Sequence, residues 1–338
     1  MEIKQLTFTR FIAAFTIVLF HYGQSAIPFD SGLLGHFAKD GAFSVSYFFC
    51  LSGYILAHVY CKEDCSLINK KAFFLKRFAR IYPIYFIGFI VVLLSGILFF
   101  NAAPKGYSII LQVLGLHAWF PGLSLEINYP GWSLSVELFF YLCFPFLINF
   151  FSRISTKKVI LFALAIWILS GISHILLVKQ TLHHTAQWEE FIIFNPLFHI
   201  NAFIFGMAAC VVLKRNQDKF QLSNFLSSSI FIITCLILFF IIATDNFFLP
   251  WGHNGLFSPI FILLIISLQL NAGVIAKLFS LRPMVFLGEI SFGIYILQYP
   301  VRMWFEEAFQ NSHLTKTSTF YLYVLILIAV AGTTYVAL

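Results

Sequence analysis

Arg10 and His21 stand eleven residues apart in the first apolar run of the chain. Eleven helical steps of 100° bring their side chains within about 20° of one another and leave them about 16 Å apart along the axis. A cation and a base stacked on one face of a membrane span suit a ligand that enters from one side and reacts near the other. Ionisable groups at such depth are expensive unless they face the protein interior. Glu137, within YPGWSLSVELFFY from Tyr129 to Tyr141, sits five residues into a later span, about 7 Å below its end and at the depth expected for His21. A carboxylate on one imidazole nitrogen would fix the tautomer and leave the other as a general base. The plainer reading is that Glu137 snorkels or accepts bonds from hydroxyls such as Ser133. Lys76, Arg77 and Arg80 lie at i, i+1 and i+4 in KKAFFLKRFARIYPIY, from Lys70 to Tyr85. They read either as a phosphate cradle at the mouth of a helix or as charge drawn to anionic lipid, worth about 1 kcal/mol per residue.

These residues need spans to hold them. Hydrophobic residues make up 60% of the 338 and charged residues 10%, with a mean hydropathy of +0.89, against roughly 25% charged in soluble domains. The composition is that of an integral membrane protein. About ten apolar stretches approach the roughly 20 residues of a spanning helix: 6–27, 42–60, 82–101, 132–151, 158–178, 196–213, 226–243, 256–272, 284–304 and 319–338. None alternates as barrel strands do, so the fold class is all-α, a polytopic helical bundle forming one transmembrane domain over 1–338 with no soluble domain. The last run stops at Leu338 without a flanking charge, so the natural C-terminus is expected further on.

With a cytoplasmic N-terminus, the inside loops hold Lys4, Lys62, Lys70, Lys71, Lys76, Arg77, Arg80, Arg153, Lys157, Lys158, Lys214, Arg215, Lys219, Lys277 and Arg282. The outside loops hold only Lys39, Lys105, Lys179, Arg302 and Lys316. This bias at alternate loops fixes the orientation and accounts for the net charge of +7 without a nucleic-acid partner. The first run lacks a small-residue cleavage site and reads as an uncleaved span. Residues 107–131 form the longest outside connection, with an apolar part too short to span, so they are expected in the interface or as a re-entrant piece. No internal repeat is visible, which argues against a duplicated transporter fold.

Cys50, Cys143, Cys210 and Cys235 lie in apolar helices as small core residues, while Cys61 and Cys65 are expected reduced on the cytoplasmic side. His58, Cys61 and Cys65 lack a local fourth ligand, so no metal site is assigned. His36, His183, His184, His253 and His313 fall in outer loops; His58, His117, His174 and His199 read as packing residues. Trp119, Trp132, Trp188, Trp251 and Trp304 form an outer interfacial belt that also offers faces for stacking sugars.

Together these motifs resemble the acyltransferase family 3 membrane proteins, which move acyl groups, most often acetyl, onto bacterial cell-surface sugars. The resemblance covers almost the whole chain. It is carried by Arg10, Ala13, Ala14, Val18 and His21, by FFCLSGYIL from Phe48, by FLKRFARIYPIY from Phe74, by WSLSVE from Trp132 with Phe140 and Tyr141, and by ISFGIYILQYPV from Ile290. Many members place a histidine where Gln298 stands, and an amide can hydrogen-bond but cannot take a proton. The resemblance implies a cytoplasmic acyl-CoA donor, commonly acetyl-CoA, no permanently bound cofactor, and a surface or lipid-linked glycan acceptor, in the bacterial inner membrane. It implies that Lys76, Arg77 and Arg80 bind the donor phosphates, that Arg10 holds the donor or the electrostatics of its channel, and that His21 is the general base or a transient acyl carrier. Glu137 would orient His21, while Trp132, Ser133, Tyr295 and Gln298 would position donor or acceptor. A flippase for a lipid-linked glycan and a non-catalytic acyl-CoA sensor are the competing readings. Oligomeric state is open.

Overall fold

Leu, Ile and Phe fill every long helix of this chain, and the computed structural model shows how their faces are shared between protein and lipid. It describes residues 3–61, 69–100, 104–181, 185–244 and 253–337; Lys62, Cys65, His183, His184 and Trp251 lie outside them. Among the described residues, nine helical stretches are long and apolar enough to cross a membrane. The chain is a multi-pass membrane protein.

The helices that position the site are α1 (Lys4–Val18), α3 (Ser44–Tyr60), α4 (Lys70–Phe100), α6 (Trp132–Arg153), α9 (Ile200–Arg215), α10 (Asn224–Thr244), α11 (Ser258–Gln269), α13 (Arg282–Phe309) and α14 (Lys316–Ala337). Between them lie α2 (Gly32–Lys39), α5 (Gly106–Val113), α7 (Thr156–Thr181), α8 (Ala186–Phe194) and α12 (Val274–Phe279). The 107–131 connection holds only the eight-residue α5 and two short 3₁₀ turns, and none of them crosses.

Two of the ten sequence-derived spans differ. The third begins at Lys70 rather than at residue 82, because its basic residues continue the helix past the apolar core instead of forming a loop. At 31 residues it is about 46 Å long, against a hydrocarbon core of about 30 Å. The eighth is a helix of only 12 residues, about 18 Å, and falls short of a full span. It still joins opposite ends of the bundle. Gly255, just before it, donates its N–H to Ser46 Oγ near the start of α3 and accepts from Trp167 Nε1. At its other end Gln5 of α1 reaches the Leu268 carbonyl, and Asn271 Nδ2 bonds Ser228 of α10 at 2.6 Å.

Small residues set the closest approaches. A Cβ on Gly53 would run into the Phe203 carbonyl, and one on Gly206 into the Cys50 carbonyl, so α3 and α9 cross backbone to backbone. Gly288 meets the Thr7 carbonyl in the same way, which brings α1 and α13 together where Arg10 and Glu289 both line one cavity. At the basic end, Lys214 Nζ donates to the carbonyls of His58 and Cys61, and Arg215 donates to those of Phe151 and Ile154, clamping α3, α6 and α9 together. Cys61 is disulfide-bonded, a correction to the expected reduced thiol. The Gly53→Val variant is expected to lose its detergent-stable fold; a melting curve of purified protein matching the unchanged chain would contradict this crossing.

Candidate active site

Helices α1, α3, α4, α6 and α13 enclose a cavity of about 440 Å³. Its wall collects Arg10, Arg77, Arg80, Ser133, Glu137 and Tyr295 from the sequence-derived candidates. Arg77 and Arg80, three residues apart, share a helix face, whereas Lys76 points elsewhere and is exposed. Arg77 Nε is buried without a hydrogen-bond partner, a donor that an anionic ligand would satisfy. Phe48, Phe49, Ile55, Ile81, Ile84 and Phe292 supply the apolar lining.

Glu137 does not meet His21. Its Oε1 accepts from Tyr141 OH at 2.5 Å and from Ser52 Oγ at 3.4 Å, so its partners lie one helical turn along α6 and across on α3. The sequence depths of Glu137 and His21 matched, but depth says nothing about the direction each helix presents. Glu289, Tyr141, Ser52 and Thr7 also line the cavity and were missed from sequence. Glu289 carried a usable signal, a carboxylate inside an apolar helix.

His21 lies outside the cavity wall. The first helix changes to a π turn over Leu19–Gly23, a widening common at functional sites. Each residue there rotates less than in an α-helix, so His21 lags behind the face that carries Arg10. The imidazole is exposed, and its ring centroid is 4.8 Å from those of Phe20 and Tyr129. Its nitrogens make no hydrogen bond to the described residues. Tyr295 bridges the two places. It lines the cavity beside Ser133 and lies within electrostatic reach of Tyr129. His21 therefore stands one aromatic layer beyond the cavity.

Trp132 and Gln298 are buried within the bundle. Trp132 is 4% exposed, its ring 4.8 Å from Phe194, 5.1 Å from His199 and 5.2 Å from His253, so it is no surface anchor. Burial pushes the pKa of His253 down to about 4, keeping that ring neutral beneath the indole. Gln298 is fully buried and donates Nε2 to the Tyr295 carbonyl at 2.8 Å; its backbone carbonyl accepts from Tyr323 OH, and its side-chain Oε1 is buried without a hydrogen-bond partner. No group of three or more metal-ligating side chains occurs among the described residues.

Fold and site together define a polytopic helical membrane protein with an arginine-lined cavity leading toward an accessible histidine. The chain belongs to the acyltransferase 3 family, whose acyltransferase-domain model matches residues 3–338. It is 24% identical to the peptidoglycan O-acetyltransferase OatA of Listeria monocytogenes over 318 residues, covering 86% of this chain and 48% of that protein. It is 29% identical to the acyltransferase MdmB of Streptomyces mycarofaciens over 170 residues, 47% of this chain and 42% of that one. A putative acetyltransferase, ORF330 of Acidianus two-tailed virus, is 26% identical over 232 residues, 68% of this chain and 64% of the other. The chain thus spans about half the length of the first two relatives. No solved structure matches it.

Proposed function

We propose that this chain moves a short acyl group, acetyl foremost, from cytoplasmic acyl-CoA to a hydroxyl of a surface or lipid-linked polysaccharide in the bacterial inner membrane. The observation that carries the reading is the placement of Arg10, Arg77 and Arg80 around one cavity that ends one tyrosine layer short of His21. Family membership and relatives named as O-acetyltransferases support the same reaction.

On this reading the excess of Lys and Arg on alternate loops puts the Arg77 end in the cytoplasm. The CoA phosphates sit on Arg77 and Arg80, Arg10 lies deeper along the donor path, and the apolar wall takes the pantetheine arm. Glu137 serves the donor rather than the base: with Oε1 engaged by Tyr141 and Ser52, Oε2 remains to accept an amide N–H. His21 takes the proton of the acceptor hydroxyl, a role worth about 10²–10⁴-fold. The test is the ester content of purified surface polysaccharide, measured by NMR with and without the gene. Loss of O-acyl signals on intact glycan is expected. Unchanged esters would contradict the reading, and a glycan missing from the surface would favour the flippase.

A further inference from the structure

The acyl-transfer reading leaves the negative charge of the tetrahedral intermediate without a partner, since His21 handles a proton, Arg10, Arg77 and Arg80 line the donor cavity, and Arg302 is paired with Glu306. Tyr22 and Tyr129 offer one. Their hydroxyls are 2.5 Å apart, and neither has another hydrogen-bond partner among the described residues. Two phenols bring two protons, and the bond between them uses one. The second is left for a third acceptor.

The Arg302 guanidinium lies 5.3 Å from the Tyr22 ring centroid and 5.5 Å from that of Tyr323, held there by Glu306 at 2.6 Å. Either hydroxyl can donate in this bond; the arrangement in which Tyr22, the phenol nearer Arg302, donates to Tyr129 is part of the proposal. The Tyr129 O–H then points outward, and the bond it accepts strengthens it as a donor.

Tyr129 is also placed and held for the task. Its ring centroid is 4.8 Å from His21 on one side and 4.8 Å from Tyr299 on another, and Tyr295 of the cavity wall lies within electrostatic reach. The Tyr129–Gly131 3₁₀ turn is tied down by Gly131 N–H to the Asn128 carbonyl at 2.8 Å. Fully buried Asn128 in turn donates to the Ile296 carbonyl on α13. A hydroxyl fixed in this way meets developing charge without reorganising.

We infer that the Tyr129 phenol is the oxyanion donor of the acyl-transfer step. The acceptor oxygen bonds the thioester carbonyl carbon as its proton passes to His21, and the carbonyl oxygen, now negative, accepts from Tyr129 O–H. Collapse breaks the carbon–sulfur bond. The sulfur leaves with the electron pair and takes the proton from His21, so ester and free CoA thiol form while Tyr129 keeps its proton.

Removing an oxyanion donor costs about 10²–10³ in kcat. In purified full-length protein, Tyr129→Phe should therefore lose kcat on that scale with the KM for acetyl-CoA unchanged. Tyr22→Phe should lose far less, because Tyr129 retains its proton. A second variant guards against misfolding: 2,3-difluorotyrosine at position 129 keeps the shape but ionises more readily, and should move the alkaline limb of the kcat profile to lower pH. His21, Tyr22, Tyr295, Tyr299 and Tyr323 also face this position and are unchanged in that variant. Tyr129→Phe with kcat within threefold of the unchanged protein, or an unmoved alkaline limb, overturns the assignment while leaving the transfer reading intact. Failure of the unchanged protein to form ester at all overturns both.

Discussion

Replacing His21 with Ala is expected to remove acyl ester from the surface glycan while the protein stays folded in the membrane. His21 is exposed at the π turn and makes no hydrogen bond to the described residues, so its loss leaves no hydrogen-bond partner unsatisfied. The effect on rate is another matter. A general base supplies about 10²–10⁴-fold, so ester formation by purified His21→Ala protein should fall by at least 10²-fold with acyl-CoA binding retained. The two readouts separate a chemical role from a structural one. Normal ester on the glycan in this variant would remove His21 from the mechanism.

The second large effect is on donor binding. A hydrogen bond to a charged group contributes about 1.5–3 kcal/mol, so the Arg77→Ala, Arg80→Ala double variant should weaken acyl-CoA binding by about 10²-fold. Arg77 carries most of that, because its Nε is buried, whereas Arg80 is exposed and screened by solvent. Lys76→Ala is the internal control. It removes the same unit of charge from the same helix, yet lies outside the cavity. Lipid attraction alone would make the three residues equivalent; a cradle makes them unequal. Isothermal titration with acyl-CoA decides, and equal losses for Lys76 and Arg77 would sink the cradle.

Much of this arrangement was legible in the sequence, in proportion to how local each relation is. The Arg77 and Arg80 face follows from i, i+3 spacing, and the apolar runs gave the helices. The Arg10 and His21 alignment failed in part because constant rotation was applied through a segment that widens at Leu19; no residue between Leu19 and Gly23 announces a π turn by itself. The pairing of Glu137 with His21 failed for a different reason. Depth in the membrane can be counted along one helix, but whether α6 turns Glu137 toward α1 or α3 is set by helix packing, and packing placed Ser52 of α3 within reach. Tyr141, one turn along the same face, was the partner that sequence could have supplied. Gln298 was read as a polar group facing a ligand; its Nε2 goes to the Tyr295 carbonyl within α13, while its buried Oε1 keeps no hydrogen-bond partner.

The central claim is that an acyl group enters at the arginine end and leaves as an ester at the His21 end. Inside-out membrane vesicles from cells carrying the gene expose the proposed donor end and enclose their own acceptor glycan. Radiolabelled acetyl-CoA added outside should put label on the enclosed glycan as an alkali-labile ester, and vesicles with His21→Ala should not. Label that stays on CoA in vesicles of the unchanged protein, or ester formed equally well with His21→Ala, would contradict the account.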